Sequence, residues 1–503
     1  MTNGTALSSV SVFHPTTKLY RFTILFFVSM LTFGSYFAYD IIGAIAPRLV
    51  EEMGAARGTL GGFYTMYSIA AMISVLVGGF LIDRVGTRMG SMIFSILVFA
   101  GSILVAYAES LPLLFAGRFI FGAGSEPLVV AQSAILARWF KGKELALSFG
   151  IALTVSRLGT LFSFNTGELI ASHFGGYKYA LIAAMLFVLL SLLANIVYVI
   201  MDRRAEKAVK LSDEGVEEKI VFKDIKLFKS SYWFIAMLCV LFYSAIFPFT
   251  ALSTDFFVDK WNIPRVAEST YMITPESLDK MGGKNVPQDV LEALKTLEGK
   301  EIKGDAALKE AIDSIKAAVP LEEYKDTVIE NSNTKTFFER VFDNLTHMGS
   351  TAGGVSSIII FASMMLAPFA GHLVDKKGRR ASLMIVGSII MVPSYLLMGL
   401  TMINPVVPMI ILGAAFVLVP AAMWPAVPLI VKKEHVGTAF GLITFIQNIG
   451  LALFPFLNGL LRDLTQTYTA SMLMFASLGV FGLIFAILLK RSDLKIGNVL
   501  EKA

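Results

Sequence analysis

The chain has 503 residues, of which 55% are hydrophobic and only 16% charged, with 40 Phe, 23 Met and a net charge of +5. A water-soluble domain cannot hide that much apolar surface, whereas a polytopic membrane protein turns it toward lipid. In such a chain the placement of Lys and Arg matters more than their sum, so the basic balance does not point to nucleic acid, and the single cysteine, Cys239, excludes an intrachain disulfide.

The polar start, 1–18, lacks the short apolar core and small-residue cleavage site of a signal peptide, and the first apolar run, 20–46, is long enough to remain in the membrane. Further runs of spanning length follow at 60–82, 89–109, 111–137, 144–172 and 177–200. After a charged stretch, 202–229, a second set lies at 230–258, 347–374, 380–402, 405–431, 437–461 and 467–490. The pattern predicts an all-α polytopic membrane protein of twelve transmembrane helices in two sets of six. Its parts are an N-terminal half at 1–200, a linker at 201–229, a C-terminal half at 230–490 and a tail at 491–503.

Short loops after the second, fourth, eighth and tenth helices carry Arg84, Arg88, Arg138, Lys141, Lys143, Lys376, Lys377, Arg379, Arg380, Lys432 and Lys433. The opposite loops carry few cations: Arg48, Arg57, Lys178 and Arg462. An excess of Lys and Arg marks the cytoplasmic side, which places both termini, the linker and the tail there. A polar insert, 260–346, then lies outside. Val290, Leu291, Leu294 and Leu297, and again Leu308, Ala311, Ile312 and Ile315, recur at helical spacing, so two or three short amphipathic helices are expected within it. Asn344 and Thr346 form a glycosylation sequon on that side.

The stretch from 117 to 166 holds the most telling polar residues. Glu126 and Arg157 each sit about thirteen residues from a helix end, near the bilayer midplane at 1.5 Å rise per residue. An ionisable group at that depth costs several kcal/mol, so it must face a bundle interior, a partner or a watery cavity. A carboxylate and a guanidinium across a cavity suit a zwitterion, since Arg clamps a carboxylate bidentately and Glu pairs with an ammonium; the alternative is a buried ion pair that neutralises itself. Other polar or aromatic groups inside helices are Tyr36, Asp40, Arg118, Asn165, Tyr243, Trp424, Gln447 and Asn448. Of these, Tyr243 and Trp424 also suit ordinary packing, Gln447 and Asn448 also suit helix-to-helix hydrogen bonds, and Arg118 reads as structural or coupling.

The two halves echo each other. GFLIDRVGTR at 79–88, with Asp83, Arg84 and Arg88, recurs as GHLVDKKGRR at 371–380, with Asp375 and Arg379, each at the end of the second helix of its half. Internal repeats that place a substrate site at their interface mark secondary transporters. These decapeptides resemble the G-x-L-x-D-R-x-G-x-R signature loop of the major facilitator superfamily. The resemblance covers nearly the whole chain and implies that the loop charges hold the cytoplasmic face shut in the outward-open state. Asp40 and Arg118 are expected, from their places inside helices, to be gating or structural residues.

A closer resemblance is carried by GSYFAYD at 34–40, GSEPLVVAQ at 124–132, WFKGKEL at 139–145, SRLG at 156–159, Trp424 with Pro425, GTAFG at 437–441 and IQNIG at 446–450. These look like the lysosomal dipeptide transporter branch, the family of major facilitator superfamily domain-containing protein 1. That resemblance implies dipeptide uniport by alternating access, with Glu126 holding the ammonium, Arg157 the carboxylate, and Tyr36, Tyr243, Trp424, Gln447 and Asn448 lining the cavity. The sequence holds no P-loop and no paired metal-ligand motif, so no enzyme activity and no cofactor are expected. The N-terminal tail has no acidic dileucine sorting signal, which favours the plasma membrane, with the lysosomal membrane as the alternative. Two other functions fit the same residues: a proton-coupled organic anion carrier, with Arg157 on the carboxylate and Glu126 taking the proton, and a receptor or scaffold that signals through the insert.

Overall fold

The computed structural model describes residues 14–140, 144–206, 222–267, 270–282, 286, 288–303, 310–311, 336–432, 435–495 and 497–502. Eleven of its helices are long and apolar enough to cross a bilayer. The first spans Lys18–Ala44, capped by Thr17, and is continued by the short helix Ala46–Met53. One continuous element, Arg57–Ala106, contains the second and third helices, separated at Gly86. The second, which carries Tyr64, Tyr67 and a run of glycines, completes the twelve. The fourth, fifth and sixth are Leu111–Phe140, Leu145–Phe174 and Tyr177–Glu206.

The other half repeats the pattern with Ser230–Thr250, Ala352–Lys377, Arg380–Leu400, Val406–Ile430, Val436–Thr465 and Thr469–Lys495. The sixth helix runs past position 200 into the stretch read as linker, because Asp202 is an interior residue and not a solvated one.

Both copies of the loop place a glycine at positive φ at the same motif position, with different ψ, 161° at Gly86 and −109° at Gly378. Gly86 takes φ 81° and Gly378 φ 62°, a region that costs a residue with a Cβ, so each loop makes its sharp turn at the same motif glycine. Gly79 and Gly371, by contrast, make no close approach here: a Cβ at either would meet nothing within 4 Å.

Contacts between the halves gather at the opposite end. The second helix packs along the eleventh and the fifth along the eighth. A Cβ on Gly61 would lie 2.1 Å from the Pro455 carbonyl, and one on Gly459 2.1 Å from that of Arg57, so backbone meets backbone across the seam. Thr65 donates to the Ala452 carbonyl at 2.5 Å, and Thr254 to that of Gly43.

The second helix has no local side-chain cap. Its first two N–H groups, on Arg57 and Gly58, donate instead to the Asp463 carboxylate of the other half at 3.2 and 2.8 Å. A carboxylate there satisfies orphan donors and complements the helix dipole. Arg57 also grips Asp255, which accepts from Tyr468 at 2.5 Å.

At the basic end, hydrogen bonds and ion pairs between described residues stay within one half. Buried Asp202 gathers Arg88, Arg138 at 3.1 Å and the Trp139 indole N–H at 2.7 Å. Glu144 pairs with Lys18 and Arg21, and Glu501 takes the Ser382 hydroxyl. Val77 and Phe369, equivalent positions in the repeat, are exposed there. The molecule is therefore sealed at one end and parted at the other.

The insert is helical only in part. After Ser253–Trp261, strands Thr270–Met272 and Glu301–Lys303 pair antiparallel, with Tyr271 opposite Ile302. Helices Pro275–Gly282 and Gln288–Leu294 pack with them around Tyr271, Ile273, Met281, Val290 and Leu294. The spacing of Val290 and Leu294 is thus helical as expected, while the strand pair carried no alternation long enough to notice. Most of the second periodic stretch, including Leu308, Ile312 and Ile315, lies outside the described residues. A last helix, Phe337–Thr346, opens on a Thr336–Glu339 capping box and leads into the eighth membrane helix.

Candidate functional site

Small hydroxyl contacts set the phase of the first, fourth and fifth helices. Ser35 meets Ser125 at 2.6 Å, and Thr32 meets Ser156 at 2.6 Å. Gln132 of the fourth helix reaches the Val28 carbonyl at 2.8 Å and the Thr32 hydroxyl at 3.0 Å. Each clasp sits one residue from a charged or aromatic group: Ser35 beside Tyr36, Ser125 beside Glu126, Ser156 beside Arg157. With the clasps fixed, the directions in which those three side chains leave their helices are set.

Glu126 and Arg157 do not form an ion pair with each other. The Tyr67 hydroxyl donates to Glu126 Oε1 at 2.9 Å, while the Arg157 guanidinium lies over the Phe416 ring of the tenth helix, 4.4 Å from its centroid. Shared depth, legible in the sequence, does not fix rotation about each helix axis, and the clasps turn the two groups apart. The self-neutralised pair is not the arrangement found. Arg157 is only partly buried, and no carboxylate among the described residues pairs with its guanidinium.

Around Arg157 the aromatic groups converge. Tyr36 lies within electrostatic reach of both Arg157 and Glu126, and Tyr243 within reach of Arg157 and Tyr36. The Trp424 indole donates to the Tyr243 hydroxyl at 3.0 Å, and Tyr243 stacks on Phe247. Residues of both halves thus meet at one place.

Gln447 and Asn448 sit nearby in the eleventh helix but face different ways. The Cys239 thiol lies 3.7 Å from Gln447 Oε1, whereas Asn448 is buried, donates to the Thr444 carbonyl at 3.0 Å, and keeps its Oδ1 without a partner among the described residues.

Asp40 is buried on the first helix, near Arg157 and Arg118. Arg118 itself is caged by the rings of Tyr39, Tyr64, Tyr67 and Phe121, at 5.1–5.5 Å, and donates to the Ala38 carbonyl at 3.2 Å. That enclosure leaves Arg118 almost fully buried among rings. Of the loop residues, Arg84 and Arg379 are exposed and Arg88 holds Asp202 and Glu206; the Asp83 and Asp375 side chains lie outside the described set.

Sequence reasoning missed Tyr67 and Phe416. Tyr64 and Tyr67, three apart on a glycine-rich helix, were a usable sign of an inward polar face. Phe416, in a uniformly apolar helix, gave none.

The sequon is occupied by structure. Asn344 is buried and its amide donates to the Asn165 carbonyl at 3.1 Å, while the Asn165 side chain donates to Ser357 of the eighth helix at 2.9 Å. A glycan on Asn344 is incompatible with this arrangement.

Comparison with known proteins agrees with the architecture. The chain is 29% identical to the lysosomal dipeptide transporter MFSD1 of Danio rerio over 465 residues, covering 89% of this chain and 82% of that one. It is 27% identical to the Homo sapiens protein of the same name over 462 residues, covering 89% and 81%. A shorter match, 27% identical over 27% of this chain and 33% of the relative, joins it to the hexuronate transporter of Escherichia coli K12. Among solved structures, the nucleoside transporter NupG superposes with a TM-score of 0.58 at 12% identity over 93% of this chain and 98% of that one, a likeness of fold. The Major Facilitator Superfamily model matches residues 28–273 and 334–502, leaving out most of the insert, and the chain belongs to that superfamily of membrane transporters.

Proposed function

We propose that this transporter moves dipeptides by alternating access, reading the two charged termini of its substrate. The observation that carries the reading is the unpaired guanidinium of Arg157, spread over Phe416 and ringed by Tyr36, Tyr243 and the Tyr243-bonded Trp424. A planar, permanently charged donor fork on an aromatic shelf is built to take a carboxylate in two parallel hydrogen bonds. Glu126, held by one tyrosine hydroxyl, keeps acceptor capacity for an ammonium. The aromatic rings between them suit side chains of varied shape, which fits a site that recognises termini rather than one residue.

With the basic end toward the cytoplasm, the conformation is open inward and closed outward. The Arg57–Asp255–Tyr468 cluster, the Asp463 cap and the glycine seam are then the outer gate. The loop motif, parted here, is the inner gate that closes when the outer one opens. The relatives' name carries a lysosomal address; in a lysosomal or a plasma membrane alike, the basic end faces the cytosol.

Blocked substrates test the reading of termini. A free dipeptide should compete for uptake, while its N-acetyl and C-amide derivatives should each compete at least tenfold less well, as expected when one charge-assisted contact worth about 1.5–3 kcal/mol is lost. A carboxylate carrier is the second reading, favoured by the bond from Tyr67 to Glu126, which leaves Arg157 to act alone. Undiminished competition by the N-acetyl derivative would select it.

A further inference from the structure

The last helix of the insert carries an apolar surface that no described residue covers. On a helical wheel Phe337, Val341, Leu345, Phe338 and Phe342 fill one continuous arc, and Glu339, Asp343 and Arg340 lie opposite. One edge of the apolar arc is used within the protein. Phe337 packs on His173 and Phe174 at the end of the fifth helix, with ring centroids 5.2 and 6.3 Å apart, and the Asn344 amide pins the helix to the Asn165 carbonyl. The other edge is bare: Phe338 is 80% exposed and Phe342 66%.

That bare edge does not stand alone. Phe174 is 54% exposed and packs 5.9 Å from Tyr179, itself 47% exposed, at the start of the sixth helix. Leu186, Leu190 and Leu193 continue the exposed apolar surface down the same helix, where a spanning segment meets lipid. Aromatic side chains gather at the level where hydrocarbon gives way to headgroups. Phe338 and Phe342 therefore extend the aromatic girdle of the membrane-spanning body onto the insert.

We infer that Phe337–Thr346 lies in the plane of the outer membrane interface, with Phe338 and Phe342 buried among lipid headgroups and upper acyl chains. The helix has the required form: a broad apolar arc, a charged arc turned to water, and a capped start that holds its orientation. Its charged arc carries Glu339 and Asp343 against Arg340, so the seat rests on apolar area and not on attraction to anionic lipid. The eighth membrane helix begins just beyond it, so the seat also fixes where the insert returns to the bilayer.

Nitroxide labels report the depth directly. Phe338→Cys, Phe342→Cys and Glu339→Cys would be made in the full chain with Cys239→Ser, labelled, and reconstituted in liposomes of neutral phosphatidylcholine. The ratio of collision with oxygen to collision with a water-soluble nickel chelate should be several-fold higher at 338 and 342 than at 339, and unchanged when anionic lipid is added. Nickel access at 338 and 342 equal to that at 339 would overturn the lipid seat. Exclusion of both reagents from 338 and 342 would overturn it as well, in favour of a second protein or a second copy of the chain. Fluorescence-detected gel filtration of each variant confirms that the labelled chain is folded.

Discussion

Replacing Arg157 by Ala should cut saturable dipeptide uptake by well over tenfold while leaving the protein folded. Truncating one member of a desolvated charge contact costs about 2–5 kcal/mol, and because Arg157 is partly exposed the lower part of that range applies, a loss of roughly 30- to 100-fold in kcat/KM. Arg157→Lys keeps the charge but not the planar fork, and should fall between the two. The native Arg157 makes no ion pair with a described residue, but it is one of two cations near buried Asp40, so its loss should lower thermal stability modestly without unfolding the chain. Uptake by the alanine variant within threefold of the native chain would remove Arg157 from the substrate site.

A wedge at Gly61 should trap the transporter with its outer side open. Gly61→Leu sets a side chain where a Cβ alone would stand 2.1 Å from the Pro455 carbonyl and 2.8 Å from the Phe456 Cα, and backbone on both sides cannot yield. Overpacking of this kind costs about 3 kcal/mol, enough to shift a two-state ratio by roughly 150-fold. Transport should be lost while substrate binding from the outer side is retained. A cysteine at Thr254, buried in the closed seam, should become reactive to an impermeant maleimide in the wedge variant and stay protected without it. Continued protection of that cysteine in the wedge variant would mean that the seam is not the gate.

The sequence carried the architecture because spanning helices announce themselves by length and hydropathy, and because the repeated loop sets a glycine at positive φ at the same motif position in each half, Gly86 and Gly378. The candidate residues could be named from the sequence, but the contacts they make could not. Glu126 and Arg157 could be placed at one depth from residue counting, yet the rotation that turns Glu126 to Tyr67 and Arg157 to Phe416 depends on the Ser35–Ser125 and Thr32–Ser156 clasps. Each of those joins residues about a hundred positions apart, with no local pattern to mark them.

The outer gate was less legible still. Asp463 caps a helix about four hundred residues before it, and Arg57 reads in sequence as one more loop cation. The insert shows the same limit from another side. Its helical spacing at Val290 and Leu294 was visible, while its strands of three residues each are too short for alternation to stand out.

The proposed gate and the proposed site both draw on the two halves. Arg157, from the N-terminal half, rests on Phe416 from the other, and Tyr243 and Trp424 reach toward it from the same side as Phe416. A substrate that bridges the halves can stabilise a closed state that neither half reaches alone, which is how binding energy becomes alternation.

The most direct test is uptake of a labelled dipeptide into liposomes containing the purified chain, first with no ion gradient and then with an imposed proton gradient. Saturable uptake down the dipeptide's own gradient is expected, with the proton gradient adding no accumulation. Absence of saturable uptake in both conditions would contradict dipeptide transport, and accumulation that appears only with the proton gradient would contradict uniport and assign Glu126 to the proton.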